Sequence, residues 1–287
     1  MAYFQMRNGA ELLMELQDVA LNSLVVLTFA SFPWRRLALN LIRSLEQVDH
    51  SGLTICFDEE IQNFLSKLKK PTYLATSLSL NETNVSAARD RRSTAALYHH
   101  FMVRKEQIKL FTIQNSFHLL SLDSDTVMLQ NFWTQMHDAL WTYDVISQGV
   151  GCNSRMKCRL PICGGMHYIQ ANNATREGLE AAVHEIYWGR SHQSALNRCL
   201  GSRSRTIKTL GPDIMPFLDQ YGTYCDSNSS HHVLGTGKIL AVHAAKHGGY
   251  KCTSHIQQTP MVVAHDVKFK RQELIKAHLW YLNDTFR

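Results

Sequence analysis

No apolar run in this chain is long enough to cross a membrane as a helix. The best, Leu24 to Phe32, is followed at once by Pro33-Trp34-Arg35-Arg36, and a span needs about 20 residues. No secretory leader is legible either, because Met1 to Asp18 sets Arg7, Glu11 and Glu15 among its apolar residues. The expectation is a cytosolic protein, or one whose targeting segment lies outside this sequence. Charged residues are scarce, at 19%, and long polar tracts are missing, which excludes a largely disordered chain. The cysteines at 56, 152, 158, 163, 199, 225 and 252 follow no zinc-binding spacing. Aromatic-basic strands and other nucleic-acid modules are also absent, so no nucleic-acid partner is expected. The excess of positive charge, +6, suits a polyanionic small ligand.

What the chain does have is apolar content, 45% over 287 residues, enough for one large domain or two fused halves. Sequons at Asn81, Asn84, Asn173, Asn228 and Asn283 exceed the roughly two expected by chance. They lean toward a secretory lumen, where Cys152, Cys158 and Cys163 form the closest group for disulfides; ordinary buried thiols are the alternative.

Periodicity predicts a helix over Met1 to Ala20, then Leu24 to Ala30 as a strand buried on both faces, because its apolar, β-branched residues run without alternation. A helix over Trp34 to Leu45, a strand over Leu53 to Phe57, a helix over Asp58 to Leu68 and a strand over Tyr73 to Leu78 follow. That alternation argues for a layered α/β sheet. Further on, a helix is expected over Thr94 to Asn115, strands over Phe117 to Leu122, Val127 to Phe132, Tyr143 to Ser147 and Met166 to Gln170, and helices over Asn173 to Tyr187 and Ser191 to Cys199. Residues 200–237 show little pattern. A last strand is expected over Met261 to Ala264 and a last helix over Arg271 to Tyr281.

Asp123-Ser124-Asp125 directly follows a buried strand, where open α/β sheets bind ligands. Two carboxylates one residue apart at such an edge can turn toward one hard cation. With 13 aspartates in 287 residues, chance supplies about half a D-x-D. Here the triplet lies inside apolar sequence, where acids are costly unless paired or metal-bound.

The segment Leu119-Leu-Ser-Leu-Asp-Ser-Asp-Thr-Val-Met-Leu129 resembles the strand, Asp-x-Asp, apolar signature of the nucleotide-diphospho-sugar transferases, nearest to glycosyltransferase family 77 and its relative, family 8. The resemblance covers roughly Leu24 to Tyr281. It implies a single GT-A-like domain: a Rossmann-type mixed sheet flanked by helices, with residues 1–20 as a helical extension, 24–147 as the nucleotide-binding half and 148–287 as the acceptor and sugar half. It places Arg104 and Lys105, Thr28 and Ala30, Ser124, and Gly164-Gly165 at the donor. For either basic residue a solvated helix face is the alternative, and for the glycines a β-bulge. His192-Gln193-Ser-Ala-Leu-Asn197 resembles the family's Asp-Gln-x-x-Leu-Asn segment, which implies that Gln193 faces the anomeric carbon and that His192 stands where the family has an aspartate. Pro260-Met-Val-Val-Ala-His265-Asp-Val-Lys268 resembles the C-terminal strand whose histidine completes the metal site. Lys268 is then the diphosphate contact, with Lys270 and Arg271 as alternatives. The histidines at 231, 232, 243, 247 and 255 match no known metal spacing and read as surface or structural.

The function implied is a transfer, with retention, of a sugar from a nucleotide-sugar to a glycan or glycoprotein acceptor. A uridine-diphosphate donor such as UDP-galactose, UDP-xylose or UDP-arabinose and an Mn²⁺ ion, with Mg²⁺ as substitute, are expected, the cation being held by Asp123, Asp125 and His265. A nucleotide-sugar hydrolase and a catalytically silent binding protein are the alternatives, the second kept open by His192.

Overall fold

A computed structural model describes residues 9–75, 91–149, 161–210, 214–215, 239–244, 267–276 and 279–282, excluding the side chains at 91–97, 268–269, 273 and 276. The strand built from Leu24–Ala30 (β1) is buried at every position. It lies inside a seven-stranded sheet of order β3-β2-β1-β4-β7-β6-β8. The other strands are Leu53–Cys56 (β2), Thr72–Leu74 (β3), His118–Asp123 (β4), Val145–Gln148 (β6), Met166–Ile169 (β7) and Ile207–Leu210 (β8). β1 runs parallel to β2 and β4, whereas β7 is antiparallel to both β4 and β6. A two-stranded ribbon pairs Thr126–Met128 (β5) with Ala241–His243 (β9).

Alternation along β1 sorts its side chains onto two helical layers. Val25, Leu27 and Phe29 pack with the helices Gly9–Val19 (α1), Arg91–Gln114 (α4) and Asn173–Tyr187 (α6); Leu24 and Val26 pack with Arg35–Gln47 (α2) and Phe132–Leu140 (α5). The same period in β4 sends Leu119 to the first layer and Leu120 and Leu122 to the second. Asp123 therefore continues the face of Leu119, toward α4, which fixes where its carboxylate goes.

Glu59–Lys67 (α3) begins behind Asp58, whose carboxylate accepts from the Ile61 N–H at 2.9 Å and from the Phe32 N–H at 2.8 Å. One side chain thus caps a helix and pins the turn leaving β1. Asp58→Ala is expected to lower stability by about 1–2 kcal/mol, measured by urea denaturation; a change below about 0.3 kcal/mol would contradict this double role.

The fold agrees with the sequence expectation in class and departs from it in detail. The strand expected over Val127 to Phe132 ends at Met128, because Asn131 caps α5 by accepting from the Thr134 N–H at 3.0 Å. β8 lies in a stretch that showed no pattern, and half-exposed Ile207, Lys208 and Thr209 explain why: an edge strand needs little apolar sequence. His192–Ala195 (α7), a π-turn at Leu196–Leu200 and Gly201–Arg203 (α8) form one bent helical segment. The last helix, Val267–Lys276 (α9), starts earlier than Arg271, and Trp280 and Tyr281 lie outside it. There Asn40 of α2 donates to the Leu279 carbonyl at 3.1 Å and accepts from the Tyr281 N–H at 2.7 Å, which docks the segment in extended form. The strand expected over Met261 to Ala264, and Cys152 and Cys158, lie outside the described residues. No helix among the described residues is long and apolar enough to cross a membrane.

Candidate active site

Asp123 ends β4 and Asp125 lies in the turn just before β5, so this turn projects at the carboxyl edge of the sheet. β9 holds this turn from the other side: Thr126 pairs with His243, and the Ala244 N–H donates to the Asp125 carbonyl at 2.9 Å. That register brings His243 between the two acids, its Nε2 3.3 Å from an Asp125 oxygen and 3.9 Å from an Asp123 oxygen. One ligand atom from each of the three lies within 4.8 Å of the others. Asp125 and His243 are each only 5% exposed, whereas Asp123 shows 37% of its side chain, so the cluster opens to solvent through Asp123.

Two lysines balance the acids. Lys105 of α4 donates to Asp123 at 2.5 Å and to the Gly164 carbonyl at 3.3 Å. Lys270 of α9 is ion-paired with Asp125 and lies over the Trp34 ring, 5.2 Å from its centroid. Burial alone would raise both aspartates, but Lys105 holds Asp123, and Lys270 with His243 holds Asp125, below the ordinary carboxylate range. Burial would lower the His243 imidazole; the Asp125 carboxylate and its hydrogen bond outweigh that and bring it up to about 10. The imidazole thus joins Lys105 and Lys270 as a third basic group facing the two carboxylates. Its Nδ1 meets the Gln148 side-chain oxygen at 3.0 Å.

Gly165 closes the floor. Its carbonyl accepts from the Asp123 N–H at 2.7 Å, and a Cβ at this position would overlap the Asp123 carboxylate and stand 2.5 Å from His243 Cε1. Gly164 leads to a second corner. Its N–H donates to the Gln193 side-chain oxygen at 2.8 Å, and a Cβ there would stand 2.8 Å from His192 Nδ1. Gln193 also donates to the Ile162 carbonyl, so both ends of its amide hold the 162–164 backbone. His192 Nε2 is 2.7 Å from Glu106 of α4, a fully buried carboxylate that also accepts from Lys109 at 2.7 Å.

Of the residues singled out in the sequence, Lys105, Asp123, Asp125, Gly164, Gly165, His192 and Gln193 come together along this edge. Ser124 is buried between the two acids. Arg104 is buried on α4 within electrostatic reach of Tyr73 in β3. Thr28 and Ala30 are buried in β1, and the Ala30 carbonyl is taken by the Phe57 N–H at 2.9 Å. His265 lies outside the described residues, and Lys268 is on α9 with its side chain not described. Of the two sequence expectations for His243, surface or structural, the first is corrected: the residue is buried and lies against both acids. A signal existed, since Ile239-Leu-Ala-Val-His243 is an apolar run ending in histidine just as Val262-Val-Ala-His265 is. Glu106 and Lys109 were missed because charge on a helix reads as a solvated face, and His167 because a lone histidine within a short strand carries no signal of its partners.

The mixed sheet and the acid-imidazole cluster at its carboxyl edge define an α/β protein of GT-A-like architecture with a candidate cation seat. The sequence pattern of the nucleotide-diphospho-sugar transferases matches residues 48–253, and the chain belongs to that family: it is a glycosyltransferase. The match takes in Asp123, Asp125, His192, Gln193 and His243 and ends before His265 and Lys268. Among solved structures, the chain is similar to galactosyltransferase LgtC in complex with donor and acceptor sugar analogues, at 10% identity over 92% of this chain and 99% of that one, TM-score 0.45. An active-site variant of LgtC gives 10%, 92%, 99% and 0.43. A protein from Desulfovibrio desulfuricans G20, described as a nucleotide-diphospho-sugar transferase, gives 10% identity over 66% of this chain and 80% of that one, TM-score 0.41. These likenesses are distant, and the family assignment rests on the sequence match. No curated protein matches the chain.

Proposed function

We propose that the protein transfers a sugar, with retention, from a uridine-diphosphate donor to a hydroxyl of a glycan or glycoprotein, using a divalent cation, Mn²⁺ or Mg²⁺, held by Asp123, Asp125 and His243. The observation that carries this reading is the convergence of those three ligand groups within 4.8 Å at a strand's carboxyl end. Two carboxylate oxygens and one imidazole nitrogen suit Mn²⁺, with Mg²⁺ the harder alternative. The bare backbone of Gly165 leaves room against both ligating side chains that any other residue would fill. A cation held by Asp123, Asp125 and His243 would supply positive charge against the negative charge that the diphosphate gains as the glycosidic bond breaks.

The chain's own residues supply the rest. His243 must give up its proton to ligate, and Lys105 and Lys270 are placed to swing from the aspartates to phosphate oxygens as point charges. Gln193 fixes the 162–164 backbone, and a second lone pair on its amide oxygen is left for an electron-poor anomeric carbon. Retention fits how the acids are engaged: in this reading Asp123 and Asp125 are cation ligands, and Glu106 is paired with buried Lys109, leaving none of the three as a base for inversion.

The test is a release assay with UDP-galactose, UDP-xylose and UDP-arabinose, with and without sugar acceptors. Mn²⁺-dependent release of UDP from at least one donor, abolished by EDTA, is expected. Release that persists in EDTA, or none from any donor, contradicts the reading. Free sugar formed at the same rate without acceptor would instead identify a hydrolase.

A further inference from the structure

Behind Gly164 lies a buried network that the metal corner does not use. Glu106 is fully buried, and one of its oxygens accepts from both Lys109 Nζ at 2.7 Å and His192 Nε2 at 2.7 Å. Its other oxygen is buried with no hydrogen-bond partner. Lys109, also fully buried, reaches His167 Nε2 at 3.2 Å, and His167 Nδ1 meets the Cys163 carbonyl at 2.7 Å.

The donors and acceptors in this chain leave one consistent assignment of protons. An ammonium can only donate, so His167 Nε2 must accept and its proton sits on Nδ1, where a carbonyl waits for it. Burial and the neighbouring Lys109 keep that ring neutral, well below the usual histidine range. A carboxylate can only accept, so the His192 proton sits on Nε2 facing Glu106. Burial keeps His192 neutral as well, against the pull of Glu106. Glu106 and Lys109 cancel in charge, and the group is electrically closed. What remains is His192 Nδ1: it carries no proton, makes no hydrogen bond among the described residues, and lies against the Gly164 backbone on a side chain that is 12% exposed. Gly164 in turn accepts from the same Lys105 that holds Asp123.

From this geometry we infer that Glu106 is a positioning residue that locks the tautomer of His192, so that His192 Nδ1 accepts a hydrogen bond from a hydroxyl of the donor's sugar ring. The inference rests on the reading of the site as one for a nucleotide-sugar. It converts the departure at position 192 into a function: an acceptor is presented to the sugar by a neutral imidazole, with the negative charge held one layer behind it. A hydroxyl at that point of the sugar is bound, and a sugar lacking it leaves a buried lone pair unmatched.

The test combines nitrogen NMR of the histidine rings with calorimetry in Mn²⁺ of UDP and of whichever sugar donor, among UDP-galactose, UDP-xylose and UDP-arabinose, the wild type binds best. The His192 ring, assigned with His192→Leu, is expected to show its proton on Nε2; a proton on Nδ1 overturns the proposal. The ratio of sugar-donor to UDP dissociation constants is expected to rise about fivefold to tenfold in His192→Leu, which offers no acceptor in place of Nδ1, the effect of one buried hydrogen bond. Glu106→Gln and the charge-balanced Glu106→Leu/Lys109→Leu pair should raise the ratio as well, and adding His192→Leu to either should raise it no further. An unchanged ratio in both Glu106 variants, or effects that multiply, overturns the proposal while UDP binding leaves the site reading intact. If the wild type does not bind UDP with Mn²⁺, the site reading falls and the proposal with it.

Discussion

Asp125→Asn should reduce donor turnover by about 10²–10³-fold and remove Mn²⁺-dependent UDP binding, while the chain still folds. The change keeps the side chain's shape and takes away one charge from the most enclosed member of the cluster. Asp125 is 5% exposed, contacts His243 at 3.3 Å, and is the partner of Lys270, itself 6% exposed. Losing the carboxylate leaves a buried ammonium without its counter-charge, which typically costs about 3–5 kcal/mol. A lower melting temperature is therefore expected alongside the lost binding. The two effects separate by measurement: calorimetry well below the melting transition reads the seat, and thermal unfolding reads the ion pair. Turnover within threefold of wild type would sink the assignment of Asp125 as a ligand.

Gly165→Ala is expected to be as damaging, although it changes no charge and adds one methyl group. The new Cβ would overlap the Asp123 carboxylate and come within 2.5 Å of His243 Cε1, distances that carbon does not adopt to either neighbour. Relief cannot come from the backbone without loss, because the Gly165 carbonyl is the partner of the Asp123 N–H at 2.7 Å. Asp123 and His243 must part, so Mn²⁺ affinity in the presence of UDP should fall about 10-fold to 100-fold, the scale of losing correct ligand orientation. Affinity within threefold of wild type would show that the two side chains do not share a cation.

The metal corner was half legible in the sequence. Asp123 and Asp125 could be found because a buried strand announces its own end: Leu119 to Leu122 must be covered on both faces, and two acids at its edge need a partner. The histidine beside them could not be chosen in the same way. Apolar runs end at both His243 and His265, and the pairing of β9 with β5, between residues more than a hundred positions apart, is what brings His243 to the two acids. The sheet's centre was equally plain from β1, while β8 escaped because its half-exposed Lys208 and Thr209 carry no apolar period. The sugar corner hid for a different reason. Along α4, Lys105, Glu106 and Lys109 make a helix with weak amphipathic character, the pattern of a solvated surface. All three are buried because they satisfy one another and the acids opposite. Complementary burial of charge leaves no mark on a single sequence.

In the proposed site His243 and the two aspartates bind the same ion. Electron spin-echo spectroscopy of Mn²⁺ bound with UDP reads it directly, since an imidazole nitrogen on the ion imposes a distinct modulation. The wild type should show that nitrogen signal and His243→Gln should lack it, with weaker Mn²⁺ binding. A nitrogen signal that persists undiminished in His243→Gln would place the cation on another histidine and contradict the site described here.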